Sequence, residues 1–143
     1  MQSSKKLNVA LWIVQGFLAL FFALASGAPK LFLPPEMLPM PIPLPHVFIL
    51  FIGTAEVLGA VGLILPGLLR IRPGVTPLAA TCLVLLTMCA ATYQLLAHQP
   101  ESAAFALVMG VLAAAVAYGR GRLAPLGTRA APVTGSALLA SSR

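Results

Sequence analysis

Charge is what this chain has least of. Of its 143 residues, three are acidic (Glu36, Glu56 and Glu101) and nine are Lys or Arg, so charged residues make up 8% of the total. Soluble domains carry about a quarter. With 59% hydrophobic residues and a mean hydropathy of +0.98, a water-soluble domain of this size has no means of hiding its apolar surface. The net charge of +6 does not point to nucleic acid, because the bases sit at the ends of apolar runs and not along one face. They read as membrane topology signals.

Cysteine and histidine are scarce as well, two of each. Cys82 and Cys89 share one apolar run, seven residues apart, and the helical rise puts them about 10 Å from each other. That is too far for a disulfide, and the lack of a Cys-x-x-Cys pair excludes a dithiol relay within the chain. Both are expected to be buried, inert thiols. His46, His98 and Glu56 could supply three metal ligands only if a loop folded inward, and there is no short-spaced ligand pair; no metal is expected. Phosphate loops, Ser-His-Asp sets and dinucleotide fingerprints are missing, so no cofactor is evident.

What is there is four apolar runs, expected as helices over about 8–28, 47–66, 76–97 and 102–119. Each is long enough to cross roughly 30 Å of hydrocarbon, the last one marginally. The expected fold is therefore an all-α bundle of four transmembrane helices, a single domain over 1–122 followed by a small, polar, flexible tail over 123–143. Lys5 and Lys6 before the first run, and Ala23-Leu24-Ala25 near its end, are compatible with a signal peptide. Three further apolar runs favour a retained helix. Gly27, Pro29 and the turn around Lys30 are expected to end it.

Between the first two runs, Pro34, Pro35, Pro39, Pro41, Pro43 and Pro45 alternate with Leu, Met and Ile. Alternate prolines remove backbone donors and forbid a regular helix, so residues 40–46 are expected to be extended. Such an oily loop belongs on the membrane surface or over the mouth of the bundle. The bases set the orientation. With both termini in the cytoplasm, Lys5, Lys6, Arg70, Arg72, Arg120, Arg122, Arg129 and Arg143 are all inside and Lys30 alone is outside. A multi-pass protein of the cytoplasmic membrane, with both termini inside and the proline-rich loop outside, is the expected topology.

Glu56 stands near the middle of the second run. A carboxylate at that depth is costly unless it is paired, protonated or facing a polar cavity. Gly53 and Gly59, three residues on either side, make its helix face narrow enough for a close neighbour or a ligand. On the third run, Thr76, Thr87, Gln94 and His98 fall in a sector roughly 40° wide, with the cysteines nearly opposite. Membrane threonines often bond only their own backbone. Lys30, His46 and His98 map to the outer helix ends, where Lys30 can snorkel outward or turn into the mouth.

The same residues carry a family resemblance. Phe51-Ile-Gly-Thr-Ala-Glu56-Val-Leu-Gly-Ala-Val-Gly-Leu-Ile-Leu-Pro66 resembles the second-helix signature of the DoxX-like family of small bacterial membrane proteins. Thr76-Pro-Leu-Ala-Ala, Met88-Cys-Ala-Ala with His98, Ala117-Tyr-Gly-Arg120, and Gly27-x-x-Lys30 are similar to its other helices. The resemblance implies a compact four-helix membrane bundle with ligand cavities, and a loose association with redox chemistry. It transfers no particular reaction.

Three functions fit these residues. The first is a membrane enzyme or redox-associated subunit that acts on a quinone, an isoprenoid or a sterol-like lipid in a cavity around Glu56. There Glu56, Lys30 and His98 are the candidate catalytic groups, and Gln94, Thr87, Gly53, Gly59 and His46 the candidate substrate contacts. The second is a lipid-binding or transport module without catalysis. The third is a structural subunit, with a partner membrane protein or a homo-oligomer as its context.

Overall fold

A computed structural model describes residues 2–72 and 74–124. The first membrane-crossing rod is continuous: α1 (Gln2–Leu20) passes into a π-helical segment, Phe21–Gly27, and then into α2 (Ala28–Phe32). The expected stop at Gly27 and Pro29 is therefore displaced to Leu33, where the backbone turns extended. Proline inside an α-helix lacks an N–H and crowds the carbonyl four residues back. The wider π winding, seen in the Ala28 N–H bond to the Ala23 carbonyl, loosens that turn and lets the helix carry Pro29 for one more turn.

Three helices follow: α3 (His46–Leu69), α4 (Val75–Leu96) and α5 (Pro100–Tyr118), the last extended by a second π-helical segment, Gly119–Leu123. Four rods of 28, 24, 22 and 24 residues are thus long and apolar enough to span a bilayer. The chain is an all-α, four-helix membrane bundle. Its fourth rod is longer than the 102–119 expected, for two reasons. Pro100 is accommodated in the first turn, where its missing N–H has no helical partner to lose, and the arginine end is folded into the bundle, with Arg120 only 2% exposed. α3 likewise continues past Pro66 to a left-handed cap at Arg70, φ 52°.

α4 and α5 form a tight hairpin. His98 reverses the chain with φ 57°; its N–H bonds Leu95 and the Gln99 N–H bonds Gln94, the paired bonds of a Schellman turn. Around the bundle, α1 packs on α3 and α5, and α4 packs on the other sides of the same two helices. The interior is filled by Leu11, Leu18, Phe22, Leu63, Leu83, Met109 and Val116, with Ala60, Ala80 and Ala113 between them. Large apolar side chains also cover the outside, among them Phe17, Leu24, Leu58, Leu85 and Val111, as expected where the solvent is lipid.

In a bilayer the outside of a bundle is as apolar as its inside, so hydrophobicity did not reveal which face the cysteines occupy. Cys82 and Cys89 are free and exposed, not buried. The proline-rich segment has one 3-10 turn, Pro35–Met37, and no regular structure from there to Pro45. Apart from Leu123 and Ala124, the expected tail lies outside the described residues.

Candidate functional site

The site begins with a close crossing of two backbones. A Cβ built on Gly53 would lie 2.9 Å from the Lys30 Cβ and 3.1 Å from the Gly27 carbonyl oxygen. Only glycine at both positions lets the π-helical segment lie on α3 at this separation. The crossing carries Lys30, in the last turn of α2, directly over Glu56 on α3.

Lys30 Nζ lies 2.8 Å from Glu56 Oε2. It also donates to the Ser26 hydroxyl at 2.7 Å and the Ser26 carbonyl at 3.1 Å, so all three ammonium hydrogens have acceptors. Ser26 in turn donates to Glu56 Oε1 at 2.9 Å. Glu56 is 7% exposed, and both of its oxygens are held. The result is a compact, neutral cluster in which the acid is paired as its depth in the membrane requires. Ser26 was not singled out from the sequence, although its place four residues before Lys30 puts the two on one helix face.

Beside this cluster is a cavity of about 830 Å³. Ser26 and Lys30 are in its wall, whereas Glu56 lies behind them and does not line it. The carboxylate expected to face the cavity is instead covered by the two groups that satisfy it. Most of the remaining wall is aromatic or aliphatic, with Phe21, Phe48, Phe105, Tyr93 and Met109 among the contributors. Gln94 and Thr87 also line it. The Thr87 hydroxyl donates to its own backbone at Val84, 2.8 Å away, while the Gln94 side-chain oxygen is buried without a partner among the described residues.

The proline-rich segment closes one side of the cavity through Leu38, Pro39, Met40 and Leu44. Among the described residues, one side chain hydrogen-bonds it there. Tyr93 accepts from the Ile42 N–H at 3.0 Å and donates to the Ile42 carbonyl at 2.5 Å. With Pro41 and Pro43 on either side, Ile42 offers the only backbone donor of that tripeptide.

Other candidates stand elsewhere. Gly59 meets Leu83, whose Cδ2 would be 2.7 Å from an added Cβ, so its small size serves helix packing. Neither it nor Gly53 lines the cavity. His46 opens α3 and is exposed, and His98 is the exposed turn residue of the α4–α5 hairpin. No group of three His, Cys, Asp or Glu side chains comes together among the described residues.

A model of the DoxX-like family matches residues 13–116. The chain belongs to that family. No curated protein and no solved structure matches it. The matched stretch of this DoxX-like protein contains every member of the Ser26–Lys30–Glu56 cluster and all four rods in whole or in part.

Arg120, just beyond the matched stretch, makes a second polar cluster at the opposite end of α5 from the loop that carries His98. Read from the sequence as a topology signal, it is buried. It donates from Nε to Gln15 Oε1 at 2.6 Å, from one Nη to Asn8 at 2.5 Å and to the Ala124 carbonyl at 3.2 Å. Its guanidinium lies 5.4 Å from the centre of the Trp12 ring, a favourable cation–π distance. Gln15 continues the network to the Leu63 carbonyl on α3. In this DoxX-like bundle the cluster ties α1, α3 and the end of α5 together.

Proposed function

We propose that this protein binds a hydrophobic small molecule inside the membrane, with the molecule's body among the aromatic walls and its polar end at Ser26, Lys30 and Gln94. The observation that carries this is the join of two features. A cavity of about 830 Å³ is the size of an ordinary ligand site, and the polar groups in its mostly apolar wall include Ser26 and Lys30, which hold the buried Glu56 behind them at 2.9 and 2.8 Å. A quinone, an isoprenoid and a sterol-like lipid are the classes that fit an apolar body with a small polar end.

In the catalytic form of the reading, the protein is a membrane enzyme or a redox-associated subunit. Glu56 is the group that holds or releases a proton, and Ser26 connects it to the cavity by its hydroxyl. Lys30 is paired with Glu56 when no ligand is present and polarises a ligand oxygen when one enters. One observation favours a binding module without catalysis: every hydrogen of the Lys30 ammonium already has an acceptor within the cluster. A ligand then has to displace one of those bonds to engage it. The distribution of bases supports placing both termini in the cytoplasm, in a bacterial inner membrane, with the proline-rich segment outside as a lid.

The test is native mass spectrometry of the protein in mild detergent, with organic extraction of what it carries, for the wild type and Glu56→Gln. A discrete apolar ligand on the wild type that is lost or reduced in Glu56→Gln is expected. A co-purifying membrane protein in place of any ligand, in both samples, would move the assignment to a structural subunit.

A further inference from the structure

Two of the cavity-lining side chains carry full charges, Lys30 and Glu101. Only one of them is compensated. The Lys30 ammonium is matched by Glu56 behind it at 2.8 Å, so the pair adds no net charge to the wall. Glu101, in the first turn of α5, is exposed and has no ion-pair partner among the described residues. The helix end on which it sits supplies roughly half a positive charge, which a full carboxylate outweighs. Among the described residues, the uncompensated charge in the lining is therefore negative.

The walls favour the same sign. Phe21, Phe48, Phe51, Phe105 and Tyr93 line the cavity, and Phe21 and Phe105 pack edge to face with centroids 5.4 Å apart. Ring faces attract cations, and more strongly where water is excluded. A carboxylate beside an aromatic wall suits an organic cation with an apolar coat. An anion of the same shape meets the same walls and the opposite field.

We propose that the cavity selects lipophilic organic cations, an ammonium or phosphonium charge set in an apolar body, over anions of the same shape, with Glu101 as the residue that sets the preference. This rests on the reading that the cavity holds hydrophobic molecules, and it adds the charge that such a molecule carries. Neutral lipids lack the contribution from Glu101 and bind through the walls alone.

Tetraphenylphosphonium and tetraphenylborate are close to isosteric and differ in sign, so they isolate the charge term. Equilibrium dialysis of the detergent-solubilised full chain measures both, together with a neutral short-chain quinone. Ala106→Trp, which fills the cavity from α5, provides the background for partition into detergent. The expected result is saturable binding of the cation with a Kd about tenfold or more below that of the anion. Glu101→Gln should shrink that ratio by about fivefold while leaving the quinone unaffected. Equal binding of the two ions, a preference for the anion, or an unchanged ratio in Glu101→Gln would overturn the proposal. If the quinone binds saturably and neither ion does, the cation selectivity falls and the cavity reading stands. If none of the three binds above the Ala106→Trp background, the cavity reading itself falls.

Discussion

Lys30 and Glu56 are 26 positions apart in sequence and 2.8 Å apart at Nζ and Oε2, on helices whose backbones touch at Gly27 and Gly53. A pair of this kind, its carboxylate buried and its ammonium partly so, is strongly destabilising to break on one side and far less so to remove as a whole. Glu56→Leu leaves an unpaired ammonium and Lys30→Met an unpaired carboxylate. Each should lower stability by about 3–5 kcal/mol, read as a lower unfolding temperature in detergent. The double variant Lys30→Met/Glu56→Leu should recover most of that loss. A double variant as unstable as the sum of the singles would show that the two residues do not act as a pair.

The glycine crossing gives a second prediction. Gly53→Ala places a methyl group 2.9 Å from the Lys30 Cβ, so the rods must part. Overpacking of this kind costs about 1–3 kcal/mol. Gly16→Ala, with nothing within 4 Å of the added carbon, should be neutral or slightly stabilising because alanine is the better helix former. Thermal unfolding of the two variants side by side decides between a specific contact and a general intolerance of added volume.

Tyr93→Phe removes only the hydroxyl that holds Ile42. The bundle should keep its unfolding temperature, while the backbone amides of 38–44 lose protection in hydrogen exchange and the segment becomes more sensitive to protease. Unchanged exchange there would mean that the apolar contacts of Leu38 and Leu44 hold the segment without the tyrosine.

At the other end of the bundle, Gln15→Leu leaves the Arg120 Nε without its 2.6 Å acceptor and the Leu63 carbonyl without its donor. Hydrogen bonds to charged groups contribute about 1.5–3 kcal/mol, and a loss of that size is expected. Arg120→Lys should not restore stability to a protein weakened at this site, because a lysine has no planar fork to reach Asn8 and Gln15 together. The check is chemical or thermal unfolding of Gln15→Leu and Arg120→Lys against wild type.

Much of the bundle could be read from the sequence because runs of about 20 apolar residues leave few alternatives to membrane helices. Glu56 was conspicuous for the same reason: it is one acid in the middle of such a run. Its partner was harder to assign. Lys30 lies after Gly27 and Pro29, two residues that normally end a helix, and the π winding that carries the helix through them has no simple sequence signal. With the first helix ended early, Lys30 is read into a turn beyond it, and Ser26 beside it attracts no attention.

The burial of Arg120 was hidden on similar grounds. An arginine at the end of an apolar run is usually an interfacial anchor, and only the folded chain brings it to Asn8 and Gln15, more than 100 positions away. It too sits in a π-helical segment. Both buried polar clusters thus occur where the helix departs from α geometry, and hydrophobic periodicity tuned to 3.6 residues per turn is least informative there. His98 shows the opposite case. Its chemistry suggested a ligand contact, while its backbone conformation, φ 57°, gives it a structural task in the α4–α5 turn.

The most direct test of the central claim is to fill the cavity without touching the ion pair. Ala106 lines the cavity from α5 and has no part in the Ser26–Lys30–Glu56 cluster, so Ala106→Trp should fold with the wild-type unfolding temperature or close to it. Native mass spectrometry of the two proteins, purified identically, should show an apolar ligand on the wild type and its loss from Ala106→Trp. The same ligand at the same occupancy on both proteins would contradict the account and place its binding site outside this cavity.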